Sequence, residues 1–565
     1  MTARSTRPVE LDAVIVGAGF SGLYMLHRLR ALGMRARVVE AGAGVGGTWY
    51  WNRYPGARCD SDSVEYSYSF SKELEQEWRW TERFATQPEI LRYLEHVADR
   101  FDLRSDIQLA TPIVSASFDD EENRWVLESE LGERFTATFC IMATGCLSTW
   151  RIPEIAGQST FQGASYHTGS WPHEGVDFTG KRVGVIGTGS SGIQSIPIIA
   201  EQAKELYVFQ RTPNFSVPAR NAPLTEEYQA HVRSTYGELR AKARASSGGL
   251  GAFELMGAGS ALERTAAERD EIYERAWAKG GALFLGSFGD LVVNEESNKT
   301  ARDFIHRKIR QIVRDPKTAE ALLPDDHPLG TKRICVDTDY YATFNRPNVT
   351  LVDLRRSPIS EITPSGIKTG GADGEEYPVD CIVYATGFDA MTGALLRIDI
   401  RGREDRALRD EWEGGPRTYL GLMCAGFPNL FTVTGPGSPS VLSNMTTSIE
   451  QHVEWISDCI AHMRAGGFDR IEPTVEAQDD WVEHVNDVAH MTLYPKAKSW
   501  YVGANVPGKP QVFMPYVGGV GAYRAKCTEI AERGYTGFVL RGEERRSKGR
   551  PRRDARSERA SRSSG

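Results

Sequence analysis

Residues 11–41 read LDAVIVGAGFSGLYMLHRLRALGMRARVVEA. An apolar run ends in Gly17-Ala18-Gly19-Phe20-Ser21-Gly22, a helical stretch follows with Leu23, Leu26 and Leu29 spaced by three, and a second apolar run ends in Glu40. The pattern predicts strand, tight turn, helix, strand. Gly17 permits the turn, Gly19 lets backbone approach a pyrophosphate, and Gly22 lets helix and strand pack closely. An anion then lies on a helix N-terminus, where free N–H groups and the helix dipole favour it. Glu40 follows Gly17 by 23 residues. At the end of a second strand, a carboxylate can accept hydrogen bonds from ribose hydroxyls, as a flavin's adenosine half requires.

The same unit recurs at residues 181–213, KRVGVIGTGSSGIQSIPIIAEQAKELYVFQRTP, with Gly187, Thr188, Gly189, Ser190 and Gly192 in the fingerprint. Here the position 23 after the first glycine is Gln210, followed by Arg211 and Thr212. A carboxylate would repel a 2′-phosphate, whereas Arg211 offers it charge-assisted bonds, so the second site reads as one for NADPH. Two further apolar segments, FCIMATG at 139–145 and DCIVYATG at 380–387, end in Ala-Thr-Gly turns that return the chain from one unit to the other. The expected fold is α/β: two Rossmann-like dinucleotide-binding domains with a mainly helical insertion. An FAD-binding domain is expected from 1–145 and 390–540, and an NADPH-binding domain from 152–220 and 332–385. The insertion, 221–331, is expected to pack on the second domain and wall a substrate cavity. A basic tail, 541–565, is expected to be disordered.

At 565 residues the chain has room for several cores. Its 40% hydrophobic content excludes a wholly disordered chain, and its 56 glycines without a three-residue period exclude a collagen-like one. The net charge of −8 conceals a tail of +6 on a body of −14, and a solubilising appendage is the plain reading of that tail. No apolar run reaches 18 residues and no signal peptide is read at the N-terminus, so a cytoplasmic protein without integral membrane association is expected. Eight cysteines without C-x-x-C spacing argue against a disulfide scaffold or zinc module, and no metal site is expected. Hydrolase elbow, zincin and P-loop motifs are absent, and the aromatics lack basic interleaving, so no nucleic-acid partner is expected.

One further stretch is specific. Phe161, Gly163, His167, Trp171 and Pro172 complete the pattern F-x-G-x-x-x-H-x-x-x-W-P, and in this the chain resembles the flavin-dependent Baeyer-Villiger monooxygenases. The likeness extends over about residues 10–540 and is nearest to the phenylacetone monooxygenase branch, through GGTWYWNRYPGARCD, GTKR, ATGFDA, GPGSPSVLSNM and ANVPGKP. It implies bound FAD, NADPH as reductant, and O₂ insertion beside a ketone carbonyl through a flavin C4a-peroxide, giving an ester or lactone. Small-molecule ketone and O₂ are then the partners, and no obligate protein partner is inferred. The alternatives are a flavin N- or S-oxygenase, against which Trp171 and the pair Arg333 and Asp60 weigh, and a non-enzymatic FAD-binding redox sensor.

The resemblance also implies roles. Arg333 matches the catalytic arginine, a fixed cation that stabilises anions without releasing a proton. Asp60 matches the carboxylate that holds it. Lys332 joins Arg211 on the 2′-phosphate, with Trp500 also on the NADPH side. Gly47, Thr48 and Trp49 approach the flavin, and Asp389 its ribityl chain. Cys146, Leu147, Ser440, Val441 and Leu442 are expected along the substrate pocket. His167 is read as a hydrogen-bonding switch between domains, with a plain satisfied histidine as the competing reading.

Overall fold

A computed structural model describes residues 8–252, 256–257, 259–371 and 374–542. The Gly17 fingerprint lies in an eight-stranded sheet whose centre is parallel: Ile107–Gln108, Ala36–Val39, Val9–Val16 and Arg134–Met142. Strand Arg134–Met142 is long enough to serve two neighbours on its far side. Its first half pairs antiparallel with Arg124–Ser129, and its last residues pair parallel with Leu430–Thr432. Ile113–Asp119 and Asp399–Arg401 complete the sheet. Helices Phe20–Ala31, Gln87–Arg100 and Met445–Gly466 bury their apolar faces in this core.

The Gly187 fingerprint lies in a second sheet of five strands, all parallel: Val349–Asp353, Glu205–Gln210, Arg182–Ile186, Cys381–Tyr384 and Ala164–His167. Helix Ser190–Gln202 covers one face. The other face packs Ile186, Phe209 and Ile382 against Ile362 and Ile367 of a small antiparallel sheet, Ile359–Thr363, Gly366–Thr369 and Glu376–Pro378.

The two units repeat in detail. Val16 stands level with Met142 and Ile186 with Tyr384, so each fingerprint strand ends beside an Ala-Thr-Gly strand. Gly17 (φ 108°) and Gly187 (φ 111°) are both left-handed; a Cβ would come 2.5 Å from the Ala143 carbonyl oxygen in one and 2.4 Å from that of Ala385 in the other. Only glycine allows these contacts.

The chain crosses from the first sheet to the second through 146–152 and returns through 386–391. The crossings run side by side, bonded from Arg151 N–H to Gly387 O (3.2 Å), Asp389 N–H to Thr149 O (2.8 Å) and Met391 N–H to Cys146 O (2.9 Å).

The segment 221–331 is helical, with Glu226–Ala245, Ala266–Lys279, Glu295–Ile312 and Pro316–Ala321 begun by side-chain caps from Thr225, Thr265, Asn294 and Asp315. Its packing differs from the expectation of a single allegiance. Ile272, Trp277, Phe304 and Ile309 join the second core, whereas Val232 and Tyr236 join the first. The reason is polar: Arg240 of the same helix pairs with Glu75 at 2.9 Å, with both side chains buried. Leaving either charge alone there would be costly. Of the basic tail, Arg541 is the last residue of a strand, Phe538–Arg541, paired with Arg470–Pro473, and 543–565 lie outside the described residues. No helix among the described residues is long and apolar enough to cross a membrane.

Candidate active site

Asp60 hangs from a short ladder in which Cys59 N–H donates to Ala85 O (3.1 Å) and Gln87 N–H to Ala57 O (2.8 Å). Arg333 comes from the other side. Its segment turns at Gly330 (φ 85°), where Asn298 clamps both backbone groups of Leu329, and enters strand Cys335–Asp337. The Arg333 guanidinium meets Asp60 edge on, with Nε to Oδ2 at 2.8 Å and Nη2 to Oδ1 at 2.7 Å, while Nη1 donates to Val441 O at 3.0 Å. Fork geometry of this kind fixes the plane of the guanidinium as well as its position. Burial pushes the Asp60 carboxyl up, but the charge and hydrogen bonds of Arg333 outweigh it and hold it below the ordinary carboxylate value. Asp60 in turn holds Arg333 well above its own. Both groups stay charged at neutral pH.

The pair forms part of the wall of a cavity of about 190 Å³. Tyr501, Tyr494, Val441 and Leu442 stand on one side, and Leu250, Leu283 and Leu285 of the helical segment on another. Ser440, Cys146 and Leu147 are not among its lining residues. Ser440 Oγ turns to Met391 Sδ at 3.8 Å, and Cys146 and Leu147 join an apolar cluster behind Val441, drawn there by the bonding of the two crossings.

The two fingerprints suit dinucleotides. Helix Phe20–Ala31 and helix Ser190–Gln202 start at Gly19 and Gly189 with no side-chain cap, which leaves their first N–H groups for an anion. Nothing lies within 4 Å of a Cβ built on Gly189. Gly19 and Gly47 face each other so closely that a Cβ on Gly47 would lie 2.8 Å from Gly19 Cα, giving a groove of bare backbone beside Thr48 and Trp49. Phe20 and Ser21 are buried at the helix start, and Gly22 packs on Gly17 O. Glu40 is buried, taking Ala18 N–H (2.6 Å) and Gly42 N–H (2.7 Å), one on each oxygen, with Ala41 N–H acting on it as well; acceptor capacity remains for ribose.

At the second site Thr188 is buried and bonded to Thr212 O (3.2 Å), Ser190 Oγ lies 3.4 Å from Cys335 Sγ, and Gly192 packs on Gly187 O. Arg211 is exposed and pairs with no carboxylate among the described residues. Lys332 is half-buried, 3.4 Å from Asp326; burial chiefly, and Arg211 in addition, lower its pKa, so the two cations share one neighbourhood.

Other expected residues have structural neighbours of their own. His167 Nδ1 accepts from Gly169 N–H (2.9 Å), which puts the ring proton on Nε2 toward Thr386 Oγ1 (3.3 Å), and burial pushes its pKa down to about 4. The ring lies beneath the two crossings, stacked on Trp150. Trp171 is core, packed on Tyr166 and Phe178; Phe161 borders the small antiparallel sheet, and a Cβ on Gly163 would meet Asp380 O. Asp389 pairs with Lys509 at 2.6 Å, and the Trp500 ring packs on Tyr501 at a tilt. All eight cysteines are buried and unbridged, and no cluster among the described residues could hold a metal.

The profile of the pyridine nucleotide-disulphide oxidoreductases matches residues 14–243. The solved structure of an oxidized steroid monooxygenase bound to NADP is 53% identical, covers 94% of this chain and 99% of that one, and superposes with a TM-score of 0.89. A methyl acetate-forming acetone monooxygenase of Gordonia sp. is 45% identical over 94% of this chain and 99% of its own. The chain belongs to the flavin-dependent Baeyer-Villiger monooxygenases. A phenazine N-monooxygenase of Lysobacter antibioticus is as similar, at 44% over 94% of this chain and 97% of its own, so likeness to this Baeyer-Villiger family does not by itself fix the atom oxygenated.

Tyr494, Tyr501 and Glu65 at this Baeyer-Villiger site were not singled out from the sequence, whereas the wall at 247–252 belongs to the insertion expected to line the cavity. For Tyr494 and Tyr501 a signal existed, since both flank Trp500 in LYPKAKSWYVGAN. For Glu65 there was none.

Proposed function

We propose that this chain oxidises ketones to esters or lactones with NADPH and O₂, on FAD held by the first fingerprint, and that its two sheets define two dinucleotide-binding domains joined by the helical segment. The observation that carries the reading is the Arg333–Asp60 fork at the cavity wall. Bound FAD, reduced by NADPH, supplies the activated oxygen. The chain's own residues do the rest. Arg333 presents a cation that does not give up its proton and that stabilises negative charge developing on the ketone oxygen. Asp60 fixes the plane of that cation and offsets part of its charge. Arg211 and Lys332 hold the 2′-phosphate, and Glu40 the adenosine ribose. His167, neutral at physiological pH, acts by hydrogen bonding at the crossings and not as an acid or base.

The leucines and tyrosines of the cavity suit an apolar ketone, and the 53% identical steroid monooxygenase supports one of polycyclic size. Free buried thiols support a reducing, cytoplasmic setting. The test is product analysis under ¹⁸O₂ with purified holoenzyme, NADPH and phenylacetone, then progesterone, beside an H₂O₂ assay. An ester carrying one ¹⁸O supports the reading. NADPH consumption giving only H₂O₂, with N-oxide formed from phenazine, would replace it with the N-oxygenase reading that the Lysobacter relative favours.

A further inference from the structure

Glu65 is only 2% exposed, yet it lines the cavity five residues after Asp60. Its carboxylate takes two successive backbone donors, Gly251 N–H at 2.6 Å and Ala252 N–H at 3.0 Å. Its carbonyl oxygen accepts from Arg240 Nη1 (3.0 Å), Asn444 Nδ2 (2.9 Å) and Thr446 Oγ1 (3.1 Å). The ring of contacts closes where Asn444 N–H donates to Gly248 O (2.8 Å) and Thr447 Oγ1 to Gly249 O (3.0 Å). One residue therefore joins the Asp60 loop, the helix Glu226–Ala245, the wall at 247–252 and the segment at 441–446. A buried carboxylate is costly, and here two backbone amides offset part of that cost, though burial still holds the Glu65 carboxyl above its ordinary value. The wall has little slack behind it: a Cβ on Gly251 would lie 2.1 Å from Leu239 O.

We propose that Glu65 is a positioning residue that sets ketone specificity, pinning the backbone at 251–252 so that Leu250 faces the space in front of Arg333 at a fixed place. The claim rests on the ketone reading above and adds to it which residue shapes the cavity. Glu65→Gln keeps the size, loses one acceptor, and turns an amide N–H₂ toward one of the two donors. Ala252→Pro removes one donor without altering any carboxylate, and stands in if the Gln variant fails to fold.

The holoenzymes are compared for FAD content, flavin reduction by NADPH, kcat/KM for phenylacetone and for progesterone, and deuterium uptake in the peptide spanning 247–252. The expected result is flavin reduction within twofold of the unmutated enzyme, amide exchange at least tenfold faster in that peptide, and a progesterone-to-phenylacetone ratio of kcat/KM shifted at least fivefold. Faster exchange with an unchanged ratio overturns the specificity role. Unchanged exchange overturns the pin itself. If the unmutated enzyme oxygenates neither ketone, the functional reading falls and the specificity claim with it, whereas the exchange comparison still decides the pin.

Discussion

Replacing Asp60 tests the centre of the proposed chemistry. Arg333 gives it two bonds, at 2.8 and 2.7 Å, and keeps a third, at 3.0 Å, to Val441 O. Charge-assisted bonds of this kind contribute roughly 1.5–3 kcal/mol each. The Arg333 side chain is 34% exposed and that of Asp60 19%, so water screens part of the attraction. The pair together then comes to about 3 kcal/mol. Asp60→Ala removes all of it, leaving Arg333 tethered at one nitrogen and free to turn. Asp60→Asn removes the charge and one acceptor, for about 2 kcal/mol. At 1.4 kcal/mol per tenfold, ester formation should fall about 100-fold in the alanine variant and about 30-fold in the asparagine variant. Anaerobic stopped-flow reduction by NADPH should stay within a few-fold of the unmutated rate, because the fingerprints are untouched. The assay pairs that reduction rate with single-turnover ester yield and H₂O₂ release. Ester formation within threefold of normal in FAD-replete Asp60→Ala would refute the orienting role.

Three further outcomes follow from the geometry. Arg211→Ala should raise the NADPH KM about 5- to 30-fold, one charge-assisted bond discounted for exposure, and leave the NADH KM within twofold; equal effects on both would remove Arg211 from the phosphate site. Gly189→Ala has open space for its methyl and should keep its melting temperature and FAD while weakening NADPH binding, whereas Gly187→Ala meets Ala385 O and should destabilise the fold; calorimetry with NADPH titration separates the two. Burial lowers the His167 pKa from 6.5 to about 4, so the unfolded chain binds a proton that the native ring refuses. That stability is present above pH 6.5 and lost as pH falls toward 4, about 2 kcal/mol of it between pH 7.5 and 5. His167→Asn should flatten this part of a urea-midpoint profile, and an unaltered slope would mean that the ring titrates normally.

Both nucleotide units were legible because their requirements are local. A left-handed first glycine, a bare helix start and an Ala-Thr-Gly strand alongside are each written within a few residues. Arg333 and Asp60 stand 273 residues apart, and no periodicity joins them; only the resemblance to a family did. The allegiance of helix Glu226–Ala245 was hidden for a related reason. Its buried face, Val232, Tyr236, Arg240 and Ala243, includes a charge whose partner Glu75 lies 165 residues earlier. Cys146 and Leu147 directly follow the first Ala-Thr-Gly turn, and the bond from Met391 N–H to Cys146 O draws that stretch into the crossings, away from the cavity lining. Glu65 works through backbone amides, which carry no side-chain signature at all.

The two crossings have a mechanical consequence. Two tethers fixed at separate points on a pair of bodies lock them against rotation, but two fastened along one line act as a single axle. Arg151 to Gly387, Asp389 to Thr149 and Met391 to Cys146 are such fastenings. A swing of the second sheet about that line would stretch neither strand of the axle, and the resistance to it would come from contacts made elsewhere, among them helix Glu226–Ala245 on the first core. Arg333 on Asp60 is one of these, acting as a catch away from the hinge. Any swing that parted the sheets on that side would have to release the guanidinium from Asp60, so the state of this one ion pair would report such a movement.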